Sequence, residues 1–213
     1  MICGVDEAGK GSVLGPMVIA GVGVGSTEMI DGFGLRDSKQ LSPSERERLF
    51  VLIKKKCKVA TVVISAAEID AFRREMTLNT CVARAHAVVI AQLAPEIAYV
   101  DACDVNPFRY AETVRGYLSS PCEIVSEHHA DSTYPVVSAA SIVAKVTRDR
   151  EIAKLAKKYG QIGSGYPSDP ETIAYLNAYI DEHRIPPPIA RKSWKTVSTL
   201  LAKKTQSSLT SFF

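Results

Sequence analysis

Paired cysteines are missing from this chain. Its five cysteines, at positions 3, 57, 81, 103 and 122, are odd in number and scattered, and no two form a C-x-x-C pair. That argues against a disulfide framework or a zinc ribbon and for free thiols in a reducing compartment. Long apolar runs are missing too. No stretch reaches the ~18 residues a membrane helix requires, so no membrane association is expected. The N-terminus has no basic segment leading into an apolar core and cleavage site, so no export signal is read and a cytoplasmic location is expected. A strong excess of one charge is also lacking, since the net charge is only +3. Its distribution is uneven, however. Residues 1–144 hold 14 Lys and Arg against 17 Asp and Glu, whereas residues 145–213 hold 12 against 6. A basic C-terminal third suits a phosphate backbone, and it equally suits a solvated basic helix face.

What is present reads as a layered α/β protein. With 46% hydrophobic residues over 213 positions, the chain can bury one good core with a small added lobe. Residues 1–6 and the β-branched run PMVIAGVGV at 16–24 read as strands. Ser42, Pro43 and Glu45 form a helix start with a capping box, and the helix closes on a lysine cluster. KVATVVIS (58–65), EIAYVDA (96–102) and CEIVSE (122–127) read as further strands. Apolar residues at 78, 81, 82, 85, 88, 89 and 93 give a helical stripe that Pro95 stops. A long helix is expected from about 136 to 159, ending at Gly160, with shorter ones near 171–182 and 194–203. Alternation of this kind predicts a mixed sheet flanked by helices.

The stretch GVDEAGKG, residues 4–11, stands one residue away from a phosphate-binding P-loop. Gly11 occupies the place of the magnesium-binding Ser or Thr, and Asp6 and Glu7 would put two carboxylates inside a cradle meant for phosphate. Gly11, Gly15 and Pro16 also oppose the helix that should follow at once. Asp6 and Glu7 make better sense as ligands for a hard divalent cation. Asp101 ends an otherwise apolar strand, and Asp131 follows another by a few residues. Sites in α/β sheets gather beyond strand ends, and acids brought together there repel unless a cation offsets them. Taken singly, a strand-end Asp is more often a turn cap, and spacing alone does not bring the four together.

GVDEAGKGSVLGP, DSKQLS, YVDA, HHADSTYPVVSAASIVAKVTRDR, GSGYPSDP and WKTV occur in that order. Together they resemble type 2 ribonuclease H (ribonuclease HII) in its archaeal form, over residues 1 to about 200. The resemblance implies an RNase H-like fold: a central mixed five-stranded sheet flanked by helices, with a C-terminal helical lobe. It divides the chain into a catalytic core over 1–160, a lobe over 161–204 and a flexible tail over 205–213. It also implies a metal-dependent endoribonuclease, using Mg²⁺ or Mn²⁺ held by Asp6, Glu7, Asp101 and Asp131. One ion would activate a water and the other would stabilise the leaving 3′-oxygen. Its substrates would be RNA–DNA hybrids and single ribonucleotides embedded in duplex DNA, cut on the 5′ side to leave 5′-phosphate and 3′-hydroxyl ends. By the same resemblance Gly9, Lys10 and Gly11 approach the ribonucleotide, and Tyr166 packs on the sugar at the RNA–DNA junction. Lys10 stands where bacterial members usually have Arg. Lys39 and Lys145 fall in motifs near the phosphates. His128 and His129 are read as ordinary loop histidines.

The tail QSSLTSFF adds a separate signal. Gln206, Leu209, Phe212 and Phe213 match the sliding-clamp (PCNA) interaction motif Q-x-x-[LIM]-x-x-[FY]-[FY]. One helical turn would gather Leu209 and the two Phe residues into an apolar plug, with Gln206 hydrogen-bonding beside it. Clamp binding is therefore expected alongside the nucleic-acid substrate. Nothing in the sequence calls for an oligomer, so a monomer is expected. Two other readings remain: a DNA nuclease or resolvase with a similar acid cluster, and a catalytically silent hybrid- and clamp-binding protein. The first has no need of Gly9-Lys10-Gly11 with Tyr166, and the second no use for clustered carboxylates.

Overall fold

The computed structural model describes residues 1–35 and 41–210, the last seven of these by backbone alone. In chain order the described elements are β1 (Ile2–Ala8), β2 (Met17–Val24), α1 (Glu28–Asp31), α2 (Pro43–Lys56), β3 (Lys58–Ile64), α3 (Ala66–Phe72) and α4 (Leu78–Leu93). There follow β4 (Ile97–Asp101), α5 (Pro107–Arg115), β5 (Glu123–Glu127), α6 (Ala130–Thr133), α7 (Pro135–Tyr159), α8 (Pro170–His183) and α9 (Lys195–Thr210). The strands form one five-stranded sheet in the order β3-β2-β1-β4-β5. β1 pairs antiparallel with β2 and parallel with β4, and β4 pairs parallel with β5, so the sheet is mixed as expected. Among the described residues no helix is long and apolar enough to cross a membrane.

The strongest sequence signals become elements with the expected ends. Ser42 accepts from the Glu45 N–H while Glu45 accepts from the Ser42 N–H, completing the capping box of α2. α4 stops at Leu93, with Ala94 left-handed before Pro95. Every residue of β2 is buried, as an apolar run in an interior strand requires. α3, α5 and two single-turn helices go beyond the sequence reading. α3 carries its own capping box, Ser65 with Glu68, and α5 starts on Asn106 and Pro107. These cap signals were legible, but the helices are too short to show a 3.6-residue stripe. α9 runs on to Thr210, beyond the expected 203.

The chain divides into two compact units. The first takes Met1–Ala8, Val18–Val63 and Thr77–Thr147. Its core joins Ala20 and Val22 of β2, Leu49, Phe50 and Ile53 of α2, and an alanine-rich face of α7 at Ala139, Ala140 and Ala144. The start of α7 lies so close to β1 that a Cβ on Gly4 would stand 2.2 Å from the Val136 carbonyl carbon. Gly4 is therefore a packing glycine within a strand, and no phosphate loop exists there. The second unit takes Gly9–Met17, Ile64–Met76 and the chain from Arg148 on. Its core gathers Val13 and Leu14 with Ile152, Ile162, Leu176, Ile189 and Val197.

Candidate functional site

In the first unit, parallel pairing aligns Val5 with Val100. One step further along each strand stand Asp6 and Asp101, so the two acids sit at the same end of neighbouring strands. Glu7 follows Asp6, and Asp131 lies on α6, just after β5. Asp6 and Asp131 are buried. Burial pushes the Asp6 carboxyl well above the usual carboxylate range, and the charges of Glu7 and Asp101 push it the same way. A hydrogen bond from Ser141 opposes that rise, as does one from the Glu7 N–H, at 2.7 Å from Asp6 Oδ1. Asp101 is also raised, first by burial and then by Glu7 and Asp131, although it accepts the Ala130 N–H at 2.9 Å. Of the four acids chosen from the sequence, Asp6, Glu7 and Asp101 thus stand within one another's fields, and Asp131 acts on Asp101. Lys145 lies on α7 one turn beyond Ser141, on the same helix face. His128 and His129 are exposed, and His128 Nε2 lies 3.2 Å from the Val105 carbonyl oxygen.

Two further side chains reach Glu7, and a third stands behind them, without having been singled out in the sequence. His86 of α4 is fully buried and places Nε2 3.3 Å from Glu7 Oε2. Cys103 Sγ donates to Glu7 Oε1 at 3.1 Å. Tyr110 of α5 brings its hydroxyl to 3.1 Å from His86 Nδ1. The one available signal was a histidine set into the apolar stripe of α4.

The second unit holds the glycine loop and Tyr166. Gly9 is left-handed, with φ +85°, and a Cβ there would meet Arg148 Nε at 2.2 Å. The loop closes on itself through the Ser12 hydroxyl, which donates to the Gly9 carbonyl at 2.9 Å. Arg191 reaches the Lys10 carbonyl at 2.9 Å and the Gly15 carbonyl at 3.2 Å. The N–H groups of Val13 and Leu14 both donate to the Gly165 carbonyl, which joins the glycine loop to the segment carrying Tyr166. Arg148 lies over the Tyr166 ring at 4.6 Å, and its guanidinium donates to the Pro16 and Ser164 carbonyls. Both arginines are buried. Asp169, the N-cap of α8, fastens the same segment by accepting from the Ser164 N–H and hydroxyl, each at 2.6 Å. Those bonds hold its carboxyl down at about 2.

Gly11 differs from Gly9. Its φ is not left-handed, it is exposed, and among the described residues a Cβ there would meet nothing within 4 Å. No described contact within the protein requires a glycine at that point. Lys39, Phe212, Phe213 and the side chains of Gln206 and Leu209 lie outside the described residues.

Comparison with known proteins identifies the family. The ribonuclease HII family profile matches residues 3–197. A ribonuclease HII of Methanospirillum hungatei is 55% identical over the full length of both chains. The solved PCNA:RNase HII complex of Archaeoglobus fulgidus contains a chain similar at TM-score 0.88 and 44% identity, covering 94% of this chain and 96% of that one. The ribonuclease H2 of Pyrococcus horikoshii aligns at TM-score 0.88 and 40% identity, over 95% and 97% of the two chains.

Proposed function

The chain belongs to the ribonuclease HII family, endoribonucleases of RNA–DNA hybrids and of ribonucleotides embedded in duplex DNA, and we propose that Asp6, Glu7, Asp101 and Asp131 are its catalytic acids. The observation that carries this reading is the gathering of carboxylates at neighbouring strands, where burial first and then like-charged neighbours raise both Asp6 and Asp101. Carboxylates packed at strand ends suit a hard divalent cation, Mg²⁺ or Mn²⁺, whose charge offsets that repulsion. When bound, such cations supply an activated water and stabilise the leaving 3′-oxygen of the phosphodiester. The chain's own part is to present oxygen ligands at fixed strand ends. Ser141 and the backbone N–H groups of Glu7 and Ala130 hold Asp6 and Asp101 in orientation.

Gly9, Lys10 and Gly11 approach the ribonucleotide, with open space over Gly11 for a sugar or phosphate. Tyr166, held by Arg148, packs on the sugar at the RNA–DNA junction. The 2′-hydroxyl, as donor and acceptor, is the group that distinguishes the substrate from DNA. Lys39 and Lys145 serve the phosphates. The cut falls on the 5′ side of the ribonucleotide and leaves 5′-phosphate and 3′-hydroxyl ends. The test is cleavage of a duplex holding one ribonucleotide, with Mg²⁺ or Mn²⁺, mapped at nucleotide resolution. One cut 5′ to the ribonucleotide is expected, absent with an all-DNA duplex and with Asp101→Asn. Cleavage that persists in Asp101→Asn would remove that residue from the catalytic set.

The C-terminal motif gives the enzyme a second partner. Gln206, Leu209, Phe212 and Phe213 bind a sliding clamp, in keeping with the Archaeoglobus fulgidus relative solved with PCNA. Calorimetric titration of a clamp should show binding by the full chain and none by a chain ending at Thr205. Equal affinities would rule the motif out.

A further inference from the structure

Behind Glu7 lies a set of buried side chains outside the four acids. His86 touches Glu7 through Nε2 at 3.3 Å and Tyr110 through Nδ1 at 3.1 Å. The two rings meet edge to face, with planes at 89°. Cys103 donates to the other Glu7 oxygen across 96 residues of sequence. Each oxygen of the carboxylate therefore has its own neighbour.

A buried imidazole is costly unless its nitrogens are engaged, and here each faces a polar group. With the phenol as donor to Nδ1, the ring proton sits on Nε2, where it faces Glu7. The ligand-type atoms of Glu7, His86 and Cys103 lie within 4.8 Å of one another. Protons on Nε2 and Sγ make these contacts attractive with no metal between them. The arrangement is that of a polar support, with the Cys103 hydrogen bond on one oxygen and the His86 ring at ion-pair distance from the other, which restricts the carboxylate's orientation.

We infer that Tyr110 and His86 form a positioning relay that orients the Glu7 carboxylate for cation binding. The inference rests on the reading of Glu7 as a cation ligand. Loss of an outer partner of a metal ligand commonly weakens metal affinity by about 10–100-fold.

The test is Mn²⁺ binding to the full chain without nucleic acid, followed by electron paramagnetic resonance. The proteins compared are wild type, Glu7→Gln, His86→Leu, His86→Gln and Tyr110→Phe. Glu7→Gln should lose Mn²⁺ affinity. His86→Leu should weaken it by about 10–100-fold, and the Mn²⁺ concentration giving half-maximal cleavage should rise by the same factor. His86→Gln, whose amide N–H can take the place of Nε2–H, should recover most of the loss. Tyr110→Phe should shift affinity the same way by a smaller factor. Unchanged affinity in a folded His86→Leu protein, beside a loss in Glu7→Gln, overturns the relay and leaves Glu7 as a ligand. Unchanged affinity in Glu7→Gln overturns both. If His86→Leu does not fold, Tyr110→Phe decides, since it removes one oxygen and keeps the ring; unchanged affinity there overturns the relay.

Discussion

At the ends of β1 and β4, carboxylates meet carboxylates; in the loop from Gly9 to Pro16, buried guanidiniums meet backbone carbonyls. Burial raises the energy of charge in both places, with opposite results. Asp6 and Asp101 are pushed up by burial and by neighbours of like sign, and a cation is the natural remedy. Arg148 and Arg191 instead donate to the carbonyls of Pro16, Ser164, Lys10 and Gly15, and so tie the loop together. The acid region holds repulsion that a bound cation would relieve, whereas the loop region is tied together by the protein's own hydrogen bonds. Catalytic regions commonly trade stability for function in the first way, and recognition surfaces gain from preorganisation in the second.

Substitutions should separate the two regions. The largest effect is expected from Asp6→Asn, which keeps shape and removes a charge. Cleavage should fall by about a thousandfold, equivalent to ~4 kcal/mol of transition-state stabilisation. Metal-free stability in denaturant should meanwhile hold or rise by about 1 kcal/mol, because repulsion is removed. A large stability loss in the metal-free protein would erase the contrast. Arg148→Ala should do the reverse. It strips donors from two carbonyls and support from Tyr166, for a loss of about 3 kcal/mol in urea unfolding.

The two loop glycines sharpen the picture further. Gly9→Ala should cost about 1–3 kcal/mol, since its φ is left-handed and Arg148 fills the Cβ site. Gly11→Ala should leave stability within about 0.5 kcal/mol while slowing cleavage at a single ribonucleotide. Equal stability losses at both positions would mean that Gly11 too serves the fold. The smallest effect is expected from Asp169→Asn. The folded carboxyl titrates at about 2, below its unfolded value of 3.8. Its contribution is therefore present above about pH 4 and is lost as pH falls toward 2. The variant should show a shallower loss of stability across that acid range than wild type, read by thermal unfolding at stepped pH.

Much of this was legible from residues close together in the chain. The capping box of α2, the stop of α4 before Pro95 and the buried run of β2 follow from local backbone chemistry. Asp6 and Glu7 stood out as carboxylates misplaced in a phosphate loop and Asp101 as the end of an apolar strand, while the set of four with Asp131 came from the family resemblance. The glycine motif was legible as a pattern, but its two glycines looked alike. Only packing separates Gly9, pressed against Arg148, from Gly11, which faces open space.

The sequence by itself determined most of the elements and the family, and it nominated the acids, because capping, alternation and motif order act over a few residues or survive as contiguous text. Tertiary structure alone decided what surrounds those residues. His86 and Cys103 meet Glu7, and Arg191 meets the Lys10 carbonyl across 181 residues. A histidine in an apolar stripe and an arginine near a tryptophan read the same in sequence whether they pack idly or hold a site. Folding brings their partners within hydrogen-bonding distance, and burial makes those partners matter, since a polar group removed from water must find one.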